Sequence, residues 1–269
     1  DPVSSFILVW CVPNLCYEVH DTPQPTFLNR ILFRRLKNIV VTNAIKKQQL
    51  IDQLGVPEER MCVAHHGVDY KEFATEYSKS EARQKLGFLS ENNYVVYTGH
   101  LFDWKGVYTL ARSVRYLPEN VHVVVVGGTP EDIIRFNEFI AREDLKRINV
   151  VGLKPHSEMP LYLAMADVLV LPTSGQYSIG KFESSPLKLL EYMAAKRPVV
   201  ASDLPAVREI ITEKEVVFVA ADNARMLADA LTKTIQDDTS LQIKSAFARV
   251  EAQTWESRTS LILKFIETK

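Results

Sequence analysis

The 269-residue chain has no apolar run approaching the ~18 residues that cross a bilayer as a helix. Cysteine is scarce. Cys11, Cys16 and Cys62 form no C-x-x-C and no zinc-ligand spacing, and they read as buried thiols of a reducing compartment. A surplus of either charge is missing too: 32 Lys and Arg stand against 33 Asp and Glu, a net charge of −1, which argues against a nucleic-acid partner held by bulk electrostatics. His65-His66 lacks the carboxylate and cysteine neighbours of a metal site. "VVVVGGTPED" carries Gly127-Gly128 but no third glycine, which disfavours a dinucleotide-dependent oxidoreductase. A Walker A motif, a G-x-S-x-G elbow, internal repeats and low-complexity segments are also absent. The chain opens on Asp1 rather than Met, as a fragment or processed product would, and "DPVSSFILVW" reads as lying close to a strand.

What is present is an ordinary globular composition, 46% hydrophobic and 24% charged, sufficient for one large domain or two smaller ones. Nine short apolar, β-branched runs predict strands at 14–20, 38–42, 60–65, 93–99, 121–128, 148–152, 167–172, 197–202 and 215–220. Helical periods separate them, such as "NAIKKQQLIDQLG", stopped by Gly55, and "EDIIRFNEFIARE". The alternation implies parallel sheets covered on both faces. The tail, 223–269, reads as three helices. A polar stretch at 67–92, with one short helix near 80–86, separates three strands from six.

In open parallel sheets, ligands bind beyond the carboxyl ends of the strands. After the strand "YVVYT" comes "GHLFDWKG", where Gly99 permits a tight turn and Lys105 stands at the start of the next helix. That pairing suits an anion such as a diphosphate, and it equally fits a plain strand-to-helix turn with a solvated lysine. After the strand "DVLVLP" comes "TSGQYSIGKFESSPLKLLEYMA". Here Ser185 is a candidate N-cap and Pro186 fits the first helical position, leaving the amides of Leu187 and Lys188 free to face a ligand. Glu183, just outside the helix, is suited to accept from a neutral hydroxyl. Glu191 falls on or near the inward stripe, where a carboxylate needs donors such as a ribose diol. The alternative for Glu191 is a solvated pair with Lys188, three residues back.

"ESSPLKLLE", an E-x7-E motif followed by "YMAAKRPVVASDLPAVREI", resembles the retaining GT-B glycosyltransferases of family 4. "YEVHD" (17–21), "VAHHGVDYKEF" (63–73), "YTGHLFDWKG" (97–106) and "INVVGLKPHSEMPLYLAMADVLVLP" (148–172) occur in the same order and at similar spacing. The resemblance implies two Rossmann-like α/β domains: a partial N-terminal one over 1–73, a nucleotide-sugar-binding one over 74–252, and a last helix, 253–269, crossing back to the first. It implies that Lys105 binds the donor diphosphate, that Glu183 accepts hydroxyls of the donor sugar and that Glu191 grips the ribose. The amides near Ser185, Pro186 and Leu187 would hold phosphate, the backbone at Leu153 and Lys154 would read the base, and His20 would approach the sugar from across the cleft. Gly99 and His100 would complete the donor site. The donor would be a UDP- or GDP-sugar, with no cofactor and no metal, in keeping with the lack of a D-x-D motif. The acceptor would be a sugar, a lipid-linked molecule or a small molecule, and the location cytoplasmic.

The sequence departs from that family in three places. His100 stands where an arginine is usual, and a histidine there predicts activity that falls as pH rises through its pKa, the alternative being a flat rate between about pH 5.5 and 8. Pro186 stands where a glycine is usual. The opening strand and glycine-rich loop of the first domain are not found, so its three strands should leave apolar surface exposed. A nucleotide-sugar-binding remnant without catalysis is the rival reading. "NRILFRRLKN" (29–38) reads as a solvated amphipathic helix or as a contact with the inner, anionic face of a membrane. Trp104 and Trp255 read as packing residues rather than sugar platforms.

Overall fold

The computed structural model describes residues 8–12, 15–75 and 77–268. Residues 1–7, 13 and 14 (Asn14 heads the first expected strand), Glu76 and Lys269 lie outside the described residues.

All nine expected strands are present: β1 (Cys16–Val19), β2 (Asn38–Val41), β3 (Met61–Val63), β4 (Asn93–Thr98), β5 (Val121–Val126), β6 (Ile148–Gly152), β7 (Val168–Leu171), β8 (Val199–Ser202) and β9 (Val217–Val219). They form two separate parallel sheets, one in the order β1-β2-β3 and one in the order β6-β5-β4-β7-β8-β9. Their near-continuous apolar sequences follow from burial on both faces: along β5, alternate valines enter opposite cores, Val124 and Val126 one, Val123 and Val125 the other. The six-strand order reverses between β4 and β7, which opens a crevice at the carboxyl ends of those two strands.

The helices start and stop where their capping chemistry dictates. Asn43 accepts from the Lys46 amide at 2.8 Å to open Ala44–Leu54, and Gly55 closes that helix at φ 64°. Thr129 and Asp132 form a capping box on Pro130–Arg142. Three helices end the chain: Ala224–Gln236, Ser240–Ala252 and Trp255–Glu267.

The polar stretch 67–92 is more than a linker with one helix. It holds two, Tyr70–Phe73 and Lys79–Leu86, and Phe73 and Ala82 are buried in the core of the larger sheet. Arg83 and Asp167, both almost fully buried, pair at 2.5 Å, and Asp167 also accepts from the Tyr94 amide at 2.7 Å. The cysteines differ from expectation as well: Cys62 is buried, Cys16 partly so, and Cys11 exposed. Cys11 falls in a helical turn at 8–11, outside either sheet, and among the described residues none covers it enough to bury it. The first unit does expose apolar side chains, Phe27 at 76% and Leu28 at 59%. They begin the helix Phe27–Arg35, which buries Leu32 and Phe33 and leaves Arg30, Arg34 and Arg35 exposed. None of the helices among the described residues is long and apolar enough to cross a membrane.

The chain passes between the two units twice, side by side. The Val68 amide donates to Gln253 O at 3.0 Å, and the Gln253 side chain donates to His66 O at 3.0 Å. The final helix then lies on the first sheet. Ile262 and Phe265 cover Val40, Cys62 and Ala64, while Arg258 pairs with Glu18 at 2.7 Å.

Candidate active site

The carboxyl ends of both sheets face one cleft of about 580 Å³. From the first unit come His20, just after β1, Thr42 and Lys46, after β2, and His66, after β3. From the second come Gly99, His100 and Lys105, after β4, and Glu183 to Lys188 with Glu191, after β7. Nine of the expected site residues therefore line one cavity: His20, Gly99, His100, Lys105, Glu183, Ser185, Pro186, Leu187 and Glu191. Leu153 and Lys154 line an adjoining recess of about 170 Å³, which shares Gly99, His100, His156 and Met159 with the cleft.

The turn after β4 is set by its glycines. Gly99 has φ 123°, and a Cβ there would meet the Lys188 amine at 2.6 Å. Gly106, at φ 73°, lies so close to Pro172 O that no side chain fits, which joins this turn to the end of β7. Between them, Lys105 lays its amine over the Trp104 ring at 3.8 Å, and burial pushes its pKa down to about 8. His100 is exposed and stacks on Phe102 at 5.0 Å.

The turn after β7 contains a π-helical segment, Ile179–Glu183, a local widening that turns up often at functional sites. It ends on Glu183, whose carboxylate accepts from Ser178 Oγ at 3.0 Å. The next helix, Leu187–Ala194, starts later than expected. Pro186 is its cap, with φ −75° and ψ 94°, and no side chain caps it, so Ser185 is not the N-cap and Pro186 is not the first helical residue. The extended backbone at Ser184 and Pro186 postpones the first turn, leaving Leu187 and Lys188 as its first two residues, with amides that have no helical acceptor behind them.

Glu191 is not in a solvated pair with Lys188. Its carboxylate is 21% exposed and lies 3.6 Å from His156 Nε2, while the other ring nitrogen of His156 is 3.2 Å from Glu72. Burial raises the Glu191 pKa, and His156 and Lys188 only partly offset it. Lys188 reaches back to Thr98 O at 2.6 Å and over the Tyr97 ring at 4.1 Å.

The profile of the family described as Glycosyl transferases group 1 matches residues 78–249, more than half of the chain. The chain belongs to this family. It is 28% identical over 229 residues to a lipopolysaccharide core biosynthesis mannosyltransferase of Rhizobium meliloti, covering 81% of this chain and 61% of that protein. It is 22% identical over 231 residues to the alpha-D-kanosaminyltransferase of Streptomyces kanamyceticus, covering 84% of this chain and 58% of the relative. The chain spans about half the length of the curated relatives it matches, from 39% to 61%. Among solved structures, Anabaena HepE in complex with UDP superposes with a TM-score of 0.80 at 20% identity, over 99% of this chain and 75% of that one. At that identity the likeness shows the fold, which is GT-B: two parallel-sheet α/β domains with a cleft between them.

Sequence reasoning passed over several groups of this group 1 member's cleft. Trp104 is no mere packing residue, because it lines the cavity beneath Lys105. Lys46, 3% exposed, donates to Thr42 Oγ1 at 2.8 Å, and burial lowers its pKa. His66 has its Nδ1 buried with no hydrogen-bond partner among the described residues, and burial lowers its pKa to about 4. Among the described residues no cluster of His, Cys, Asp and Glu could hold a metal.

Proposed function

We propose that this chain carries the donor site and catalytic cleft of a retaining glycosyltransferase of family 4, moving a sugar from a nucleotide-sugar to an acceptor hydroxyl. The observation that supports it best is the convergence of Lys105, the open first turn at Leu187 and Lys188, Glu183 and Glu191 on one crevice at the reversal of strand order. In this reading Lys105 and the helix start bind the diphosphate, with His100 and Gly99 beside it. Glu191 accepts from the ribose hydroxyls. The backbone at Leu153 and Lys154 borders the base, a uracil or guanine, in the adjoining recess. Glu183 accepts from sugar hydroxyls, and His20 meets the sugar from the first domain.

The acceptor oxygen attacks the anomeric carbon on the face from which the diphosphate departs. The bond from that carbon to phosphate oxygen breaks as the new glycosidic bond forms, and the acceptor proton passes to the departing phosphate oxygen. Configuration is thereby retained without a protein nucleophile. The positive charge of Lys105 and the helix dipole stabilise the leaving group, so the reaction requires no metal or other cofactor. The acceptor is a sugar, a lipid-linked molecule or a small molecule on the cytoplasmic side. With Phe27 and Leu28 exposed just ahead of it and Arg30 and Arg34 exposed within it, the 29–38 segment would rest on an anionic inner membrane face.

The test is a thermal shift with UDP, GDP, ADP and their sugars, for the chain and for Glu191→Ala. A ligand at a hundredfold excess over Kd adds about 2.7 kcal/mol. A shift with one nucleotide that is lost in the variant supports the donor site and names the base. No shift with any of them refutes it. A shift without sugar transfer to any acceptor marks a binding remnant.

A further inference from the structure

Lys188 occupies a position where a cation is disfavoured three times over. It is the second residue of the helix Leu187–Ala194, at the positive end of the helix dipole. Lys105, the other amine lining this wall of the cleft, repels it. Burial is the third and largest penalty, and Glu191, whose carboxylate lies 3.6 Å from His156, offsets it only in part. Burial and Lys105 together push the Lys188 amine well below the usual lysine range, with Glu191 opposing them. The amine is nevertheless held in place. It donates to Thr98 O at 2.6 Å, faces the Tyr97 ring at 4.1 Å and fills the space that a Cβ on Gly99 would occupy. A side chain needed only for packing would carry no charge into such a place, whereas a polyanion bound between Lys105 and the helix start would offset all three penalties.

We propose that Lys188 is the second cation of the diphosphate pocket, standing beneath Gly99 and sharing with Lys105 the charge of the departing phosphate. This rests on the donor-site reading above. It assigns to Lys188 the loading that exposed His100, stacked on Phe102, does not carry alone. The phosphates, rather than the base or ribose, are what Lys188 recognises.

The rival is a structural role, in which Lys188 merely ties the turn to Thr98. The two separate in a ligand series. Kd is measured by calorimetry for the nucleoside, monophosphate and diphosphate of whichever base among U, G and A the wild type binds, using wild type, Lys188→Met and Lys105→Met. Lys188→Gln, which keeps a donor near Thr98 O but no charge, serves if the Met variant does not fold. The expected result is a loss of at least tenfold for the diphosphate in the Lys188 variant, with the nucleoside unchanged within twofold. Equal weakening of all three ligands, or no weakening, overturns the assignment to Lys188 while leaving the donor site standing. A wild type that binds the diphosphate no better than the nucleoside, or binds neither, removes the donor-site reading and this inference with it.

Discussion

Replacing Glu191 by Gln should separate binding from folding. The wild-type carboxylate is largely buried, and its nearest basic neighbour, His156 Nε2 at 3.6 Å, lies beyond good hydrogen-bond range. Its pKa is raised above the ordinary 4.5, chiefly by burial. The folded protein therefore holds that proton more tightly than the unfolded chain does. The ionised form costs stability, a cost absent below the ordinary carboxylate value and growing as pH rises through the folded one. Gln is neutral throughout, so Glu191→Gln should match or exceed the wild-type Tm at pH 7.5 and converge with it near pH 4. Binding should move the other way. A hydrogen bond from a ribose hydroxyl to a charged group is worth about 1.5–3 kcal/mol, and its loss weakens nucleotide affinity about 10- to 150-fold. Calorimetric titration with the bound nucleoside diphosphate, beside scanning fluorimetry at both pH values, reads the two effects. A variant that melts several degrees lower at pH 7.5 yet binds the nucleotide normally would show that Glu191 serves the fold and not the ligand.

Lys105, with its pKa lowered by burial to about 8, should lose charge as pH rises through that value, so diphosphate affinity should fall between pH 7 and 9. Lys105→Met should abolish the trend, and a fall that persists unchanged in the variant would place the titrating group elsewhere. Tyr192→Phe removes the hydroxyl that accepts from the Thr98 amide at 2.8 Å and strands a buried donor. The cost of about 1–3 kcal/mol should lower Tm by about 2–12 °C in a thermal melt, and an unchanged Tm would mean that the amide finds another partner. His66 resists protonation in the fold, its pKa lowered by burial from 6.5 to about 4, while the unfolded chain takes the proton freely. Wild-type Tm should fall as pH drops between those values, and His66→Leu should flatten that slope. An identical slope in the variant would place the acid sensitivity elsewhere.

The two-sheet plan was legible because parallel strands buried on both faces leave continuous β-branched runs, and Gly55 and Thr129 sit where helix ends require them. That Glu183, Glu191 and Lys105 would come to one cleft was legible because the segments that follow parallel strands open at the carboxyl edge of the sheet. Lys188 was misread for a physical reason. A spacing of three along a helix says that two side chains can meet, not which way a four-carbon stem turns. Its amine goes to Thr98, ninety positions away in sequence. His156 and Lys46 were missed because their roles come from elements that meet only in space. The start of the Leu187–Ala194 helix was placed one residue early, since proline fits a cap as readily as a first helical position.

The side-by-side crossings have a mechanical consequence. At Gly67 a Cβ would stand 2.4 Å from Trp255 N, so the outgoing and returning segments touch backbone to backbone. A side chain of any size at 67 would have to push the two crossings apart. The two units also meet beside the cleft, where the Asn43 side chain donates to Phe182 O at 3.2 Å and His65 Nε2 lies 3.5 Å from Glu209, so the crossing and these contacts together set where His20 and Lys46 stand relative to Glu183.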